Sequence, residues 1–175
     1  MRFQVRILKS ENVYKGRVIR VSLDRVVEPG GVEAFREVVV HHGSVVIIPR
    51  LPNGNIILVR QYRYPARKRL WELVAGSMEP GESVIRAARR ELQEETGYTA
   101  GILKRLISFY PSPGFLTEKM HLVEARDLKP SAANPEDDER IEVGEFSKNQ
   151  LGKLLREKRI IDGKTLVGLL WDRWR

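Results

Sequence analysis

The stretch GSMEPGESVIRAARRELQEETGY, residues 76–98, predicts a loop followed by one helix and a stop. Its first part is rich in glycine and proline, which interrupt regular structure. Glu82 or Ser83 can open a helix, because acids are favoured near a helix N-terminus and serine is a common N-cap. Gly97 can close it, since glycine readily adopts the left-handed conformation of a C-cap. We therefore expect a single helix between these signals.

Two carboxylates lie one turn apart in this helix. At about 100° per residue, Glu91 and Glu95 are separated by roughly 40° and border the face that should be buried. Carboxylates at this spacing repel each other, and a charge beside a core needs a partner. A divalent cation is the simplest partner, because Mg²⁺ prefers oxygen ligands. On the helix alone, a solvated acidic end balanced by nearby arginines is the alternative. The apolar residues expected on the buried face are Val84, Ile85, Ala88 and Leu92.

The spacing of fixed residues through this stretch resembles the Nudix box, the signature of the Nudix hydrolases. It runs Gly76, five residues, Glu82, seven residues, then RELQEETG over residues 90–97. The one departure is Tyr98, where the pattern more often carries an aliphatic residue. The resemblance implies hydrolysis of a nucleoside diphosphate linked to another group, assisted by Mg²⁺ or Mn²⁺.

The same resemblance assigns roles to the residues of the box. Glu91 and Glu95 would be the main metal ligands, and the carbonyl of Ala75 a further one. Glu94 would join them or bind a second metal through water, and it is also a catalytic candidate. Two other residues of the box are expected to be structural: Glu82 and Arg90.

Composition limits the class of protein. The chain has 175 residues, 42% of them hydrophobic, which suits one domain or one domain with a small extension. It has no cysteine, no apolar run long enough to span a membrane, and no apolar centre of a signal peptide near its start. These features favour a soluble cytoplasmic protein that is not associated with a membrane. The net charge of +8 comes from dispersed basic residues, which suits a polyanionic small substrate better than nucleic acid.

The remaining chain predicts an α/β fold. Residues 1–42 should form an antiparallel extension of about three strands, which must pack on the main domain or on a second subunit. Residues 43–175 should form the main domain, an α/β/α sandwich with a mixed sheet, which is also the fold that the Nudix resemblance implies. Within it we expect a hairpin turning at residues 52–54 and a short strand over residues 70–74. Further strands are expected at 102–110, 119–125 and 141–146, with helices at 150–158 and from Asp162 or Gly163 to Trp174.

Features outside the box are similar to the ADP-ribose pyrophosphatase branch of the family. Pro113 lies 16 residues beyond Gly97, where that branch tends to carry proline, within the similar loop SPGFLTE. The approach to the box, at residues 59–63 and 71–76, is also similar. In that branch an N-terminal extension of strands mediates homodimers. The resemblance therefore implies a homodimer that converts ADP-ribose to AMP and ribose 5-phosphate.

Substrate contacts are predicted less directly. Arg63 is the best candidate for a diphosphate clamp, although edge-strand arginines are often only solvated. By resemblance, Arg36 would contact the adenosine end, and Pro113 and Glu118 would lie in the substrate pocket. The general base would come from the acidic segment that ends in ERIEV, residues 139–143, with Glu139 as first candidate and Glu142 as second.

Three alternatives stay open. Other Nudix specificities, for other nucleotide sugars or dinucleotides, share the box. RNA 5′-end processing is suggested by the net charge, but no basic arm or aromatic-rich surface supports it. A non-catalytic ligand sensor usually has a degraded box, whereas this one is intact.

Overall fold

The chain forms two compact units. A computed structural model describes residues 4–133 and 140–174. Unit 1 comprises Met1–Gly43 and Tyr110–Lys119, and unit 2 comprises Ser44–Phe109 and Met120–Arg175. The sequence did not indicate that residues 110–119 belong with the first segment. The division predicted after residue 42, with dimerisation assigned to the extension, stays a prediction.

Unit 1 is built on a three-stranded antiparallel sheet. Its strands are β1 (Arg6–Lys15), β2 (Arg20–Val27) and β3 (Glu33–Val40), in that spatial order. The outer edge of β3 is bonded to the second segment of the unit: the Val39 N–H donates to the Phe115 carbonyl, and the Thr117 N–H donates to the Val39 carbonyl. The predicted N-terminal antiparallel sheet is therefore confirmed.

The described residues of unit 2 form two sheets and three helices. The four-stranded sheet has the order β7-β4-β9-β8 and is mixed, because β4 and β9 run parallel while the other pairs are antiparallel. The second sheet, β10-β5-β6, is antiparallel. The elements are β4 (Ser44–Pro49), β5 (Ile56–Arg63), β6 (Lys68–Glu72), β7 (Val74–Ser77), α1 (Val84–Thr96), β8 (Tyr98–Phe109), β9 (Met120–Pro130), β10 (Glu142–Phe146), α2 (Lys148–Arg156) and α3 (Gly163–Arg173).

Core residues lie on both faces of the sheets. Successive side chains of a strand point to opposite faces, so Val45 and Ile47 pack with α1, whereas Val46 and Ile48 pack with α2 and α3. All six residues of β4 are buried for this reason. Helices thus cover both faces of the strands, and the predicted α/β/α sandwich is confirmed.

The predicted hairpin at residues 52–54 is wrong. The turn exists, but β4 and β5 belong to different sheets and are joined only by an isolated bridge between Arg50 and Ile56. Both edges of β4 are already paired, with β7 on one side and β9 on the other. The turn therefore carries the chain from one sheet to the next.

The strand predicted at residues 70–74 is two strands that meet at Leu73. β6 pairs with β5, whereas β7 pairs with β4, so the chain changes sheets at this residue. The N–H of Leu73 donates to Oγ1 of Thr165 at 2.8 Å. A side chain from the start of α3 thus satisfies the buried backbone donor at the switch.

Helix α1 begins and ends as its sequence predicts. Oγ of Ser83 accepts from the Arg86 N–H, and Gly97 has a φ of 70°, the left-handed conformation of a C-cap. One expectation for its buried face is wrong, because Ile85 is 37% exposed. It lies in the first turn, ahead of the buried residues, which begin at Ala87.

Candidate active site

Three carboxylates of α1 differ in how far they are exposed to solvent. Glu95 is 5% exposed, while the side chains of Glu91 and Glu94 are 12% and 33% exposed. Glu91 and Glu95 therefore lie at the edge of the buried face, as their one-turn spacing predicts. Such positions place charged oxygens beside the core, where they need cations.

Arg90 is the cation that the structure places among them. Its Nη1 donates to Oε1 of Glu91 at 2.7 Å and to Oε2 of Glu94 at 3.0 Å. Its Nε and Nη2 donate to Glu82, and Nη2 also donates to the Ser77 carbonyl. The hydrogen bonds to Glu82 and the charge of Glu91 raise the pKa of Arg90 strongly, against the lowering effect of burial. Arg90 therefore joins the loop before α1 to the carboxylates on it.

Glu82 is held in the charged form by the same contacts. Burial raises the pKa of its carboxyl, but the hydrogen bonds from Arg90 and from the Glu79 N–H outweigh burial and leave the pKa below its ordinary value. Its side chain is only 6% exposed. The structural role expected for Glu82 and Arg90 fits this geometry.

Gly76 lies directly against Glu91. A Cβ added at Gly76 would stand 2.0 Å from the carboxyl carbon and one carboxylate oxygen of Glu91. Real Cβ atoms do not approach other atoms so closely, so any side chain here would displace that carboxylate. The glycine of β7 thus leaves the space in which the Glu91 oxygens sit, one residue beyond Ala75.

The donor set of this region suits a hard divalent cation. It consists of carboxylate oxygens on α1 and backbone carbonyls of β7, which are ligands that Mg²⁺ and Mn²⁺ accept. Among residues 4–133 and 140–174, however, no group of three or more acidic or histidine side chains is already arranged as a metal site. Since Arg90 bonds to Glu91 and Glu94, a cation would have to draw these oxygens into a new arrangement. The residues fit such a metal in their chemistry, because Gly76 leaves room for the Glu91 oxygens and further carboxylate oxygens lie on the same helix.

Arg63 forms a bidentate ion pair with Glu72, a residue the sequence did not single out. Nε and Nη2 of Arg63 donate to the two oxygens of Glu72 at 2.9 and 2.8 Å. Lys164, at the start of α3, also donates to Glu72. The hydrogen bonds that Arg63 donates to Glu72 raise the pKa of Arg63 against the lowering effect of burial, and the charges of Glu72 and Glu95 raise it further. Among the α1 carboxylates, Glu95 is thus close enough for its charge to act on Arg63.

Of the two general-base candidates, the structure describes only Glu142. Glu142 is the first residue of β10; its side chain is 51% exposed and forms an ion pair with Arg60 at 3.6 Å. Glu139 lies outside the described residues. Both assignments stay predictions.

The other predicted substrate residues belong to unit 1. Arg36, on β3, donates to Glu28 at 2.5 Å and is half exposed. Glu118 lies 3.7 Å from Nδ1 of His41. Pro113 is exposed in the second segment of the unit. Their roles in binding substrate stay predictions.

A cavity of about 960 Å³ lies on the α2 and α3 side of unit 2. It is lined by Arg50, Lys104 and Asp172 among others, and by none of the box glutamates. We place the candidate site by the chemistry of its donors rather than by cavity size, because a metal site on a helix edge needs no deep cavity.

None of the helices in the described residues has the length and apolar character needed to span a membrane.

Sequence reasoning missed the network of Glu72, Lys164 and Asp162. One signal was present: Glu72 is a single acid within the apolar run Leu70–Val74, and a buried acid requires partners. A second signal was a lysine in the first turn of a predicted helix, where the helix dipole disfavours a cation. Their pairing could not be predicted, because 92 residues separate them.

The chain is similar to known proteins over much of its length. The model of the NUDIX domain matches residues 40–166. The chain is 38% identical over 169 residues to the methanol dehydrogenase activator of Bacillus methanolicus, covering 95% of this chain and 91% of that protein. It is 36% identical over 164 residues to the ADP-ribose pyrophosphatase of Bacillus subtilis, covering 93% and 89%. A crystal structure of an ADP compounds hydrolase superposes with a TM-score of 0.85 at 26% identity, covering 97% of this chain and 92% of that one.

These matches extend over nearly the whole chain and include the helix that carries the box. The family model alone covers well over half of the residues, and the two relatives exceed 30% identity across almost their full lengths. The chain therefore belongs to the Nudix family.

Proposed function

We propose that the protein hydrolyses the diphosphate of ADP-ribose to AMP and ribose 5-phosphate with a bound divalent cation. The observation that carries the proposal is the set of α1 carboxylates at the edge of the core, with Glu91 seated against Gly76. The similarity to an ADP-ribose pyrophosphatase supports the choice of substrate.

In this proposal the carboxylates of the box bind the metal and two arginines bind or position charged groups. Glu91 and Glu95 would hold the cation with the carbonyl of Ala75, and Glu94 would complete the set or hold a second ion. Bound there, Mg²⁺ or Mn²⁺ would supply charge neutralisation of the diphosphate and a lowered pKa for the attacking water. Arg90 fixes Glu91 and Glu94 from the side of the loop. Arg63 binds the diphosphate, since a guanidinium matches phosphate oxygens bidentately.

The remaining roles in the proposal rest on sequence. Glu139 is the general base, and Glu142 is the second candidate. Arg36, Pro113 and Glu118 serve substrate recognition. The protein acts as a homodimer, and it acts in the cytoplasm, which cell fractionation would test.

The test uses ADP-ribose with Mg²⁺ and detection of AMP, for the wild type and for Glu95→Gln. We expect AMP from the wild type and at least about a 100-fold lower rate from the variant, because metal stabilisation of charge is worth several kcal/mol. Glu157→Gln, at the exposed C-cap that follows α2, is the control and should keep full activity. A Glu95→Gln variant with wild-type activity would contradict the metal site.

A panel of nucleotides under the same metal condition tests the substrate. Similar kcat/KM values for ADP-ribose, other nucleotide sugars and dinucleotides would replace the proposed specificity by a general one. Tight, salt-dependent RNA binding would favour RNA 5′-end processing. Nucleotide binding without any hydrolysis would favour the alternative of a non-catalytic ligand sensor.

A further inference from the structure

Glu72 is a buried carboxylate shared between two cations. Its side chain is 1% exposed, and it accepts two hydrogen bonds from Arg63 and one from Lys164. Both Lys164 and Nη2 of Arg63 bond to the same oxygen, Oε2. A buried carboxylate with two cationic partners can lose one and still be paired.

Lys164 occupies a position that its helix does not favour. It lies in the first turn of α3, where the positive end of the helix dipole opposes a cation. Its side chain is nevertheless only 10% exposed, and Nζ donates both to Glu72 and, at 3.0 Å, to Oδ1 of Asp162. These two carboxylates account for the lysine at this position.

The side chains of Arg63 and Lys164 differ in how free they are to move. The side chain of Arg63 is 39% exposed, whereas Lys164 is enclosed between Glu72 and Asp162. Arg63 can therefore turn towards an anion, while Lys164 cannot. If Arg63 leaves one of its bonds to Glu72 for a diphosphate oxygen, Lys164 keeps the carboxylate neutralised.

We propose that Lys164 is a positioning residue of the reaction: it holds Glu72 so that Arg63 is presented to the diphosphate. The inference rests on the proposed function for the role of Arg63. Thr165, the residue after Lys164, accepts a hydrogen bond from the backbone N–H of Leu73, where the chain passes from β6 to β7. The start of α3 therefore contacts both Glu72 and the next residue of the chain. Asp162 holds Thr165 in place, because its carboxylate accepts hydrogen bonds from the N–H and the hydroxyl of Thr165.

Steady-state kinetics of Lys164→Met, Lys164→Arg and Lys153→Met with ADP-ribose test the inference. For Lys164→Met we expect KM to rise about tenfold, with kcat changed less than about threefold, because ground-state binding of the diphosphate is weakened. Lys164→Arg should recover part of the loss. Lys153→Met, which removes an exposed lysine of α2, should leave both constants unchanged.

A double-mutant cycle separates positioning from a structural role. In an Arg63→Ala background, adding Lys164→Met should raise KM no further, because the lysine acts through the arginine. A Lys164→Met variant with a lower melting temperature and an unchanged KM would overturn the inference. Additive KM increases in the cycle would overturn it too.

Binding of inorganic pyrophosphate with Mg²⁺, followed by calorimetry, keeps the inference separate from the choice of substrate. If the wild type does not cleave ADP-ribose, the proposed function fails, yet weaker pyrophosphate binding by both Arg63→Ala and Lys164→Met still supports the clamp. Wild-type pyrophosphate affinity in Lys164→Met overturns it.

Discussion

Gly76 is the residue with the least freedom to change in the candidate site. The space that a side chain would need is filled by the carboxylate of Glu91, at a distance of 2.0 Å from an added Cβ. The demand for glycine comes from this contact, since the residue lies within a regular strand, β7. The glycine at the start of the Nudix box thus has a steric cause that involves Glu91, one of the proposed metal ligands.

Gly76→Ala should lower activity by at least about tenfold, because the displaced Glu91 carboxylate can no longer meet the cation. Crowding of this kind costs about 1–3 kcal/mol of stability. Kinetics over a range of Mg²⁺ concentrations should show a higher requirement for the metal. Gly152→Ala, where an added Cβ meets only the end of Arg156 at 3.5 Å, is the matched control. Unchanged Mg²⁺ dependence in Gly76→Ala would contradict this interpretation.

At the scale of elements, the switch from β6 to β7 joins two parts of the candidate site. β6 ends at Glu72, the partner of Arg63, and β7 carries Ala75 and Gly76. Between them only Leu73 changes sheets, and its N–H is bonded by Thr165. The hydroxyl of Thr165 therefore supports the point between the strand that ends at Glu72 and the strand that carries Ala75 and Gly76, which belong to the proposed diphosphate and metal sites.

Thr165→Val should destabilise the protein by about 1–3 kcal/mol, because the shape is kept while the buried N–H of Leu73 loses its acceptor and Asp162 loses the hydroxyl donor. Thermal and denaturant unfolding measure the change. Thr99→Val removes a hydroxyl whose bond, to the Lys129 carbonyl, is exposed, and it should cost far less. Equal losses in the two variants would show that burial of the Leu73 donor is not the cause.

What the sequence could predict at this scale depended on how local each signal was. The ends of α1 follow from Ser83 and Gly97, which act within one turn of the helix. The hairpin prediction failed because strand pairing is decided elsewhere: β9, which pairs with β4, follows some seventy residues later. The spacing of Glu91 and Glu95 located the box on the helix, whereas the network around Glu72 depends on α3 and could not be read locally.

At the scale of the molecule, unit 1 leaves much apolar surface open. Every residue of β1 is exposed, and the exposed apolar side chains of the unit include Ile7, Val13, Val32 and Phe35. Beyond its backbone pairing with β2, a strand whose side chains are all exposed gains further stability from a surface that covers them. This exposure is consistent with the proposed homodimer.

Phe35→Lys should shift the protein from dimer towards monomer, since a lysine in an apolar interface must be desolvated. Size-exclusion chromatography with light scattering measures the mass, which for the wild type should be twice that of the chain. Ile102→Lys, at a comparably exposed position on β8, should remain dimeric. A monomeric wild type would remove the dimer from the proposal.

The backbone bonds between Val39 and residues 115–117 have a consequence for the order in which the protein is made. The three strands of unit 1 leave the ribosome first, but the segment that covers the edge of β3 follows only after β4 to β8 have been synthesised. The nascent sheet therefore waits with an open edge, and such edges invite pairing with other chains. For the same reason, a gene fragment ending at residue 43 would not encode a transferable module.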